Sequence, residues 1–158
     1  MSKVSTCLWF NNDAEEAVAF YISLLPNSRI DHILHAPGPW PGGKAGEIIL
    51  IKFVLNGQNY QALNGGTAAD YGTAASIAVE CADQAEIDRL WAALSMNGGA
   101  GIACGWLRDR WGVPGQIVPE VLPRLLADPD PAVSSRAFTA MQSMIKLDAA
   151  ALQNAALG

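Results

Sequence analysis

The sequence repeats a helix-start signal at an offset of 70 residues. When the sequence is aligned with itself at this offset, Asp13 aligns with Asp83 and Glu16 aligns with Glu86. An Asp followed three residues later by a Glu is the capping-box pattern, in which the two side chains accept from free backbone amides at the start of a helix. Each signal follows an apolar run that is typical of a β-strand. The chain is therefore expected to contain two similar strand-helix modules.

Further strand signals complete the first module. Runs rich in apolar and β-branched residues indicate strands at 4–10, 29–35, 47–55, 59–63 and 76–81. Asn56-Gly57 is the signature of a tight hairpin turn. The first module, residues 1–70, then reads β-α-β-β-β, and the second, residues 71–119, reads β-α followed by shorter strands. This pattern predicts an α+β fold of paired βαβββ modules that form open, curved mixed sheets.

Extra helices are predicted in the C-terminal extension, residues 120–158. Asp130-Pro131 supplies an N-cap and a first-turn proline, and Asp148 begins a last helix through Leu152. The helix after Asp130 carries an apolar stripe that includes Met141 and Met144. Such a stripe is typical of ordinary core, although it could also cover a sheet edge or a dimer partner.

Composition excludes several classes of protein. Of the 158 residues, 51% are hydrophobic and 16% are charged, which excludes a disordered chain. The net charge of −5 argues against a nucleic-acid partner. No signal peptide or membrane-spanning run is present, so the expected location is the cytoplasm. The three widely spaced cysteines are predicted to be reduced, small, buried side chains.

One segment, residues 36–46, is too rich in proline and glycine for regular structure. Two interpretations remain open for it. It is either a mobile loop or a lid that presents Trp40 to a ligand.

The doubled pattern, together with several short motifs, resembles the vicinal oxygen chelate superfamily. Within it the chain is similar to the PhnB-like branch, often labelled as 3-demethylubiquinone 3-methyltransferase domains. The matching motifs are ALNGG at 62–66, CGWL at 104–107, QIVPEVLP at 116–123 and LADPDP at 126–131. The resemblance implies one such domain over residues 1–158. It leaves the chemistry open, because this superfamily includes lyases, isomerases, dioxygenases and antibiotic-sequestering proteins.

The resemblance also implies where a site would lie. Metal-dependent members place ligands on the first and last strand of each module, and the repeat offset and glycine spacing assign these positions to Thr6, Gln61, Ser76 and Gln116. Two hydroxyls and two amides carry no charge, whereas stable divalent sites use imidazole, thiolate or carboxylate. We therefore expect no bound metal and no cofactor. The four residues either bind a small molecule or are satisfied core polar groups.

Other candidates are weaker. Glu80 shares a strand face with Ser76 and would be a general base only if burial raised its pKa. His32 and His35 are predicted to lie on opposite faces of a strand, and Cys104 is expected to be structural.

The sequence favours a metal-independent small-molecule binding protein, a homodimer in which Trp40 or Trp106 forms an apolar wall. One alternative is a metal-assisted lyase or dioxygenase with relocated ligands, and another is an interaction module that uses the C-terminal helices. The methyltransferase label has no support from a glycine-rich strand-to-helix turn.

Overall fold

The computed structural model describes residues 2–158. The chain divides into two compact units, Met1–Asp70 and Tyr71–Gly158. Within the described residues, no helix is long and apolar enough to cross a membrane. Both units contain one four-stranded mixed sheet, so the predicted α+β class is confirmed.

The first unit is a βαβββ module. Its elements are β1 (Thr6–Phe10), α1 (Ala14–Leu24), β2 (Arg29–His35), β3 (Ile48–Leu55) and β4 (Gln58–Asn64). The strand order is β1-β4-β3-β2, with β1 parallel to β4 and the other neighbours antiparallel. Helix α1 buries Ala17, Val18 and Tyr21. The fully buried Ile51 and Phe53 of β3 complete this core.

The second unit repeats this pattern with shorter strands. Its sheet contains β5 (Ile77–Cys81), β6 (Ala100–Gly101), β7 (Trp106–Arg108) and β8 (Pro114–Pro119), and α2 spans Gln84–Ser95. The strand order is β5-β8-β7-β6, with β5 parallel to β8. The strands after α2 are shorter than those of the first unit, as expected, and β6 has two residues.

Three C-terminal helices belong to the second unit: α3 (Val121–Leu126), α4 (Pro131–Gln142) and α5 (Ala149–Leu157). The side chains of Asp130 and Asp148 cap α4 and α5 as predicted. Helix α5 continues to Leu157, five residues beyond the predicted end at Leu152. Its inner face buries Leu152 against Leu122 and Leu147, and it also buries Ala156 one turn later, which explains the longer helix.

The two predicted capping boxes differ in outcome. Asp83 accepts from the backbone amide of Glu86 at 2.8 Å, and Glu86 accepts from the amide of Ala82 at 2.9 Å. Asp13 makes no capping hydrogen bond, so the prediction for α1 is wrong. Asn64, at the end of β4, accepts from the amide of Ala14 at 3.0 Å instead. A residue 50 positions away in sequence thus satisfies the first free amide of α1.

Candidate functional site

Each sheet has one face covered by a helix and one open face. In the first unit, Leu8 and Phe10 of β1 and Ala62 of β4 are buried with α1. Because side chains alternate along a strand, Cys7 and Gln61 lie on the open face. They are partners in the parallel ladder between β1 and β4, so their side chains are neighbours.

Gln61 forms a side-chain hydrogen bond on this open face. Its amide Nε2 donates to the hydroxyl Oγ of Ser5 at 2.6 Å, and the pair is half-buried. Ser5 directly precedes β1. The bond therefore joins the start of the first strand of the module to its last strand.

The second unit contains an equivalent pair. The Nε2 of Gln116, on β8, donates to the Oγ of Ser76 at 2.9 Å, just before β5. Trp106 on β7 pairs with Gln116 in the antiparallel register. Their side chains therefore share a face, which places an indole beside the amide.

The two strand ladders correct the predicted register in the first unit. Cys7 aligns with Gln61 and Ala78 aligns with Gln116, so the first strands correspond at 71 residues rather than 70. Ser5, not Thr6, is the counterpart of Ser76. Thr6 pairs with Tyr60 and lies on the same side of β1 as the buried Leu8.

The cause is a difference in loop length. Two residues separate Phe10, the end of β1, from the helix-start residue Asp13, whereas Ala82 alone separates Cys81 from Asp83. Aligning the helix starts therefore shifts the first strands by one residue. A shift of one residue moves a side chain to the other face of its strand.

Each Gln–Ser pair keeps hydrogen-bonding capacity for a ligand. The serine oxygen accepts from the glutamine, so its own hydroxyl proton is available to donate. Within residues 2–158, no other group bonds to the side chain of Gln61 or Gln116. The amide oxygen of each glutamine is thus an acceptor and its second N–H is a further donor, so each pair presents donors and an acceptor without a net charge.

A cleft of about 500 Å³ lies beside Gln61 and Ser5 in the first unit. Lys52 of β3 also lines it and is the antiparallel partner of Gln61. Tyr60 stacks on Phe53, with ring centroids 5.4 Å apart. Burial raises the pKa of the Tyr60 phenol above its ordinary value of 10.0. The volume is typical of a site for a small molecule.

Trp40 lies elsewhere in the first unit. Its indole Nε1 donates to the backbone oxygen of Asn64 at 3.0 Å. Asn12 fixes the same loop by donating to the oxygen of Gly42 at 2.7 Å. Trp40 lines a different cleft of about 450 Å³, and the lining residues of this cleft do not include Gln61.

Of the weaker candidates, Glu80 lies on the open face of β5, opposite Val118 of β8, and is exposed. His32 pairs with Lys52 and His35 pairs with Ile48, and the residue that this register skips, Ile49, is on β3. Side chains therefore alternate without interruption from His32 to His35 along β2, and the predicted placement on opposite faces stands.

The three cysteines are free, as predicted, but only Cys81 is fully buried. Cys7 is exposed and Cys104 is half-buried, so the prediction of buried thiols is wrong for both. Cys104 has a left-handed backbone with φ of 53°. Its amide donates to the oxygen of Met144 at 2.7 Å, which gives it a structural role in the turn before β7.

Two residues of the first cleft, Ser5 and Lys52, were not identified from the sequence. Aligning the last apolar positions of the two first strands, Phe10 and Cys81, would have identified Ser5. Lys52 also had a signal, because a two-residue turn at Asn56-Gly57 fixes the register of the hairpin and places Lys52 opposite Gln61.

Comparison with known proteins gives a consistent result. The family model described as 3-demethylubiquinone-9 3-methyltransferase matches residues 2–118. The PhnB protein from Bacillus cereus is 32% identical with a TM-score of 0.66, and the match covers 75% of this chain and 99% of that one. No curated protein is significantly similar in sequence.

Two further solved structures are less similar in sequence. A protein from Pseudomonas aeruginosa is 21% identical with a TM-score of 0.59, over 76% of this chain and 98% of that one. A glyoxalase/bleomycin resistance protein from Albidiferax ferrireducens is 20% identical with a TM-score of 0.48, over 75% of this chain and 99% of that one. The chain belongs to the 3-demethylubiquinone-9 3-methyltransferase family, which confirms its predicted place in the PhnB-like branch of the vicinal oxygen chelate superfamily.

Proposed function

We propose that the protein is a metal-independent binding protein for a small polar molecule. The observation that carries the proposal is the pair of hydrogen bonds from Gln61 to Ser5 and from Gln116 to Ser76. Both lie at the same place in their modules, on an open sheet face. Ser5 replaces Thr6 in this assignment, and Trp106 supplies an apolar wall.

The chemistry of these side chains supports binding without a metal. Amides and hydroxyls are neutral, and tight divalent sites require anionic or imidazole donors to replace the water of the ion. Among residues 2–158, no group of three or more His, Cys, Asp or Glu side chains is arranged to hold a metal. A polar organic molecule, in contrast, can use both the donors and the acceptor of each pair.

The test is a thermal-shift and calorimetric screen of small polar metabolites against the wild-type protein. The expected result is a ligand whose affinity falls at least about tenfold in the Gln61→Ala/Gln116→Ala double variant, from lost hydrogen bonds. Gln58→Ala/Gln142→Ala is the matched control, because both of these glutamines are exposed and outside the pairs. Equal loss of affinity in both double variants would overturn the assignment.

The metal-assisted lyase or dioxygenase is distinguished by elemental analysis of protein purified without a chelator. About one transition metal per chain would contradict the proposal and would require other ligands. Methyl transfer is the second candidate, because the family description names it. Calorimetry with S-adenosylmethionine tests it directly, and saturable binding would favour that activity over a simple binding role.

We also propose, as the sequence indicates, that the protein is a cytoplasmic homodimer. Its three free cysteines are compatible with a reducing compartment. Light scattering coupled to gel filtration tests the dimer, and a monomer mass would contradict it.

A further inference from the structure

The cleft beside Gln61 has an unusual charge for this chain. The protein carries 10 basic and 15 acidic residues. Three of the basic residues, Lys3, Arg29 and Lys52, line this one cleft, together with a single carboxylate, Asp31. The cleft therefore has an excess of positive charge on a protein whose net charge is −5.

The arginine and the aspartate compensate each other. Arg29 Nε donates to Asp31 Oδ1 at 2.7 Å, and both side chains are largely exposed. The charge excess therefore comes from the two lysines. No acidic side chain in residues 2–158 forms an ion pair with Lys3 or Lys52.

Lys52 is positioned to act together with the Gln61–Ser5 pair. It is the antiparallel partner of Gln61, so the two side chains emerge from neighbouring strands on the same open face. An ammonium group beside neutral hydrogen-bonding groups is suited to a ligand with one acidic group and a polar remainder. Charge-assisted hydrogen bonds to an ammonium are about twice as strong as neutral ones.

We propose that this cleft selects a small organic anion, a carboxylate or a phosphonate. Its acidic group lies against Lys52, with Lys3 nearby, and its polar remainder bonds to Gln61 and Ser5. The volume of about 500 Å³ suits a metabolite-sized ligand rather than a polymer. The inference rests on the proposed binding function and adds the charge of the ligand to it.

The test compares four probes of similar size and different charge by titration calorimetry at neutral pH. Benzoate and phenylphosphonate are anions, benzamide is neutral and benzylammonium is a cation, and each is used as its 3-hydroxy derivative so that it carries a polar group for Gln61 and Ser5. At least one anion is expected to bind roughly tenfold more tightly than benzamide, and benzylammonium is expected to bind most weakly. The order of the two anions distinguishes a carboxylate site from a phosphonate site. Raising the salt concentration should weaken anion binding, because the lysines are exposed.

Variants of Lys52 test whether this residue is responsible for the preference for anions. Lys52→Met should lower anion affinity by roughly tenfold, whereas Lys52→Arg, which keeps the charge, should stay within about threefold of wild type. Lys44→Met is the control, since Lys44 is an exposed lysine of the same unit outside this cleft. Benzoate affinity that is unchanged by Lys52→Met would overturn the inference.

Failure of this inference is distinguishable from failure of the proposed function. Benzamide binding as tight as benzoate binding, lost in Gln61→Ala, would overturn anion selection and leave the binding function intact. Absence of binding by all four probes would also overturn anion selection, and the broader metabolite screen then decides the binding function separately.

Discussion

Gln116 donates its side-chain amide to the hydroxyl of Ser76 across a parallel strand pair, at 2.9 Å. Gln61 does the same to Ser5 at 2.6 Å. Both bonds are half-buried and lie on an open face. In a structural polar pair of a protein core, the protein satisfies the remaining donors and acceptors. In these two pairs the remaining donors and acceptors have no partner among the described residues.

This distinction predicts a small effect on stability. Gln116→Ala removes one hydrogen bond, and water can reach the half-buried Ser76 hydroxyl. The free energy of unfolding should therefore change by less than about 1 kcal/mol, measured by urea denaturation. A loss above about 2 kcal/mol would instead identify Gln116 as a structural core residue and contradict a role in binding.

Asn64 is the contrasting case, because its side chain is 6% exposed and fully engaged. Its Oδ1 accepts from the amide of Ala14 at 3.0 Å, and its Nδ2 donates to the oxygen of Ile48 at 2.9 Å. Asn64→Ala leaves both groups without a partner, and we expect a cost of about 2–4 kcal/mol in denaturant unfolding. Asn154→Ala, at an exposed position of α5, is the control and should stay within about 0.5 kcal/mol of wild type. Equal stability of the two variants would contradict the capping role of Asn64.

Local patterns were sufficient to predict most of the fold. Asn56 and Gly57 have φ of 44° and 84°, the two left-handed residues that an Asn-Gly hairpin turn requires. The five strand ranges predicted from apolar and β-branched runs are correct to within two residues at each end. Both signals depend on neighbours in sequence, which is why a single sequence contains them.

The errors concern contacts between distant residues. Asp13 has the local pattern of a cap, but Asn64 takes its place from another strand. This tertiary contact has no periodicity in the sequence, so only the structure reveals it. Alignment of the helix starts selects Thr6 instead of Ser5, because one loop is a residue longer than its repeat. The position of Lys52 opposite Gln61, in contrast, follows from the two-residue Asn56-Gly57 turn, which fixes the register of β3 against β4.

The buried thiol of Cys81 should make the folded protein less stable at alkaline pH. Burial, with a smaller effect from Glu86, raises the pKa of its thiol from 9.0 to about 12. The unfolded chain therefore releases this proton at a lower pH than the folded protein. The contribution of Cys81 to stability is fully present below pH 9.0 and is lost as the pH rises towards about 12.

The measurement is the free energy of unfolding as a function of pH. Wild type should lose up to about 1.4 kcal/mol per pH unit in this window because of Cys81. Cys81→Ala should show a shallower slope, even though the cavity lowers its stability at neutral pH. Burial also raises the pKa of Cys7 and Tyr60, so both proteins keep a residual slope of the same sign. Identical slopes for the two proteins would contradict the assignment to Cys81.

The side chain of Gln84, in α2, attaches the segment before α5 within the second unit through two hydrogen bonds. Its Nε2 donates to the backbone oxygen of Leu147 at 3.1 Å, and its Oε1 accepts from the amide of Ala149 at 2.9 Å. These bonds fix the segment that enters α5. The nearby ion pair between Lys146 and Asp88 is exposed and contributes little.

Gln84→Ala should therefore loosen this attachment while the sheet stays folded. We expect faster hydrogen exchange at peptides covering residues 144–158, with a local loss of protection of about 1–3 kcal/mol, and unchanged exchange in β3 and β4. Gln142→Ala, at an exposed position of α4, is the matched control. Slow exchange at Ala149 in the Gln84 variant would show that the buried side chains of Leu147 and Leu152 hold the segment without help from Gln84.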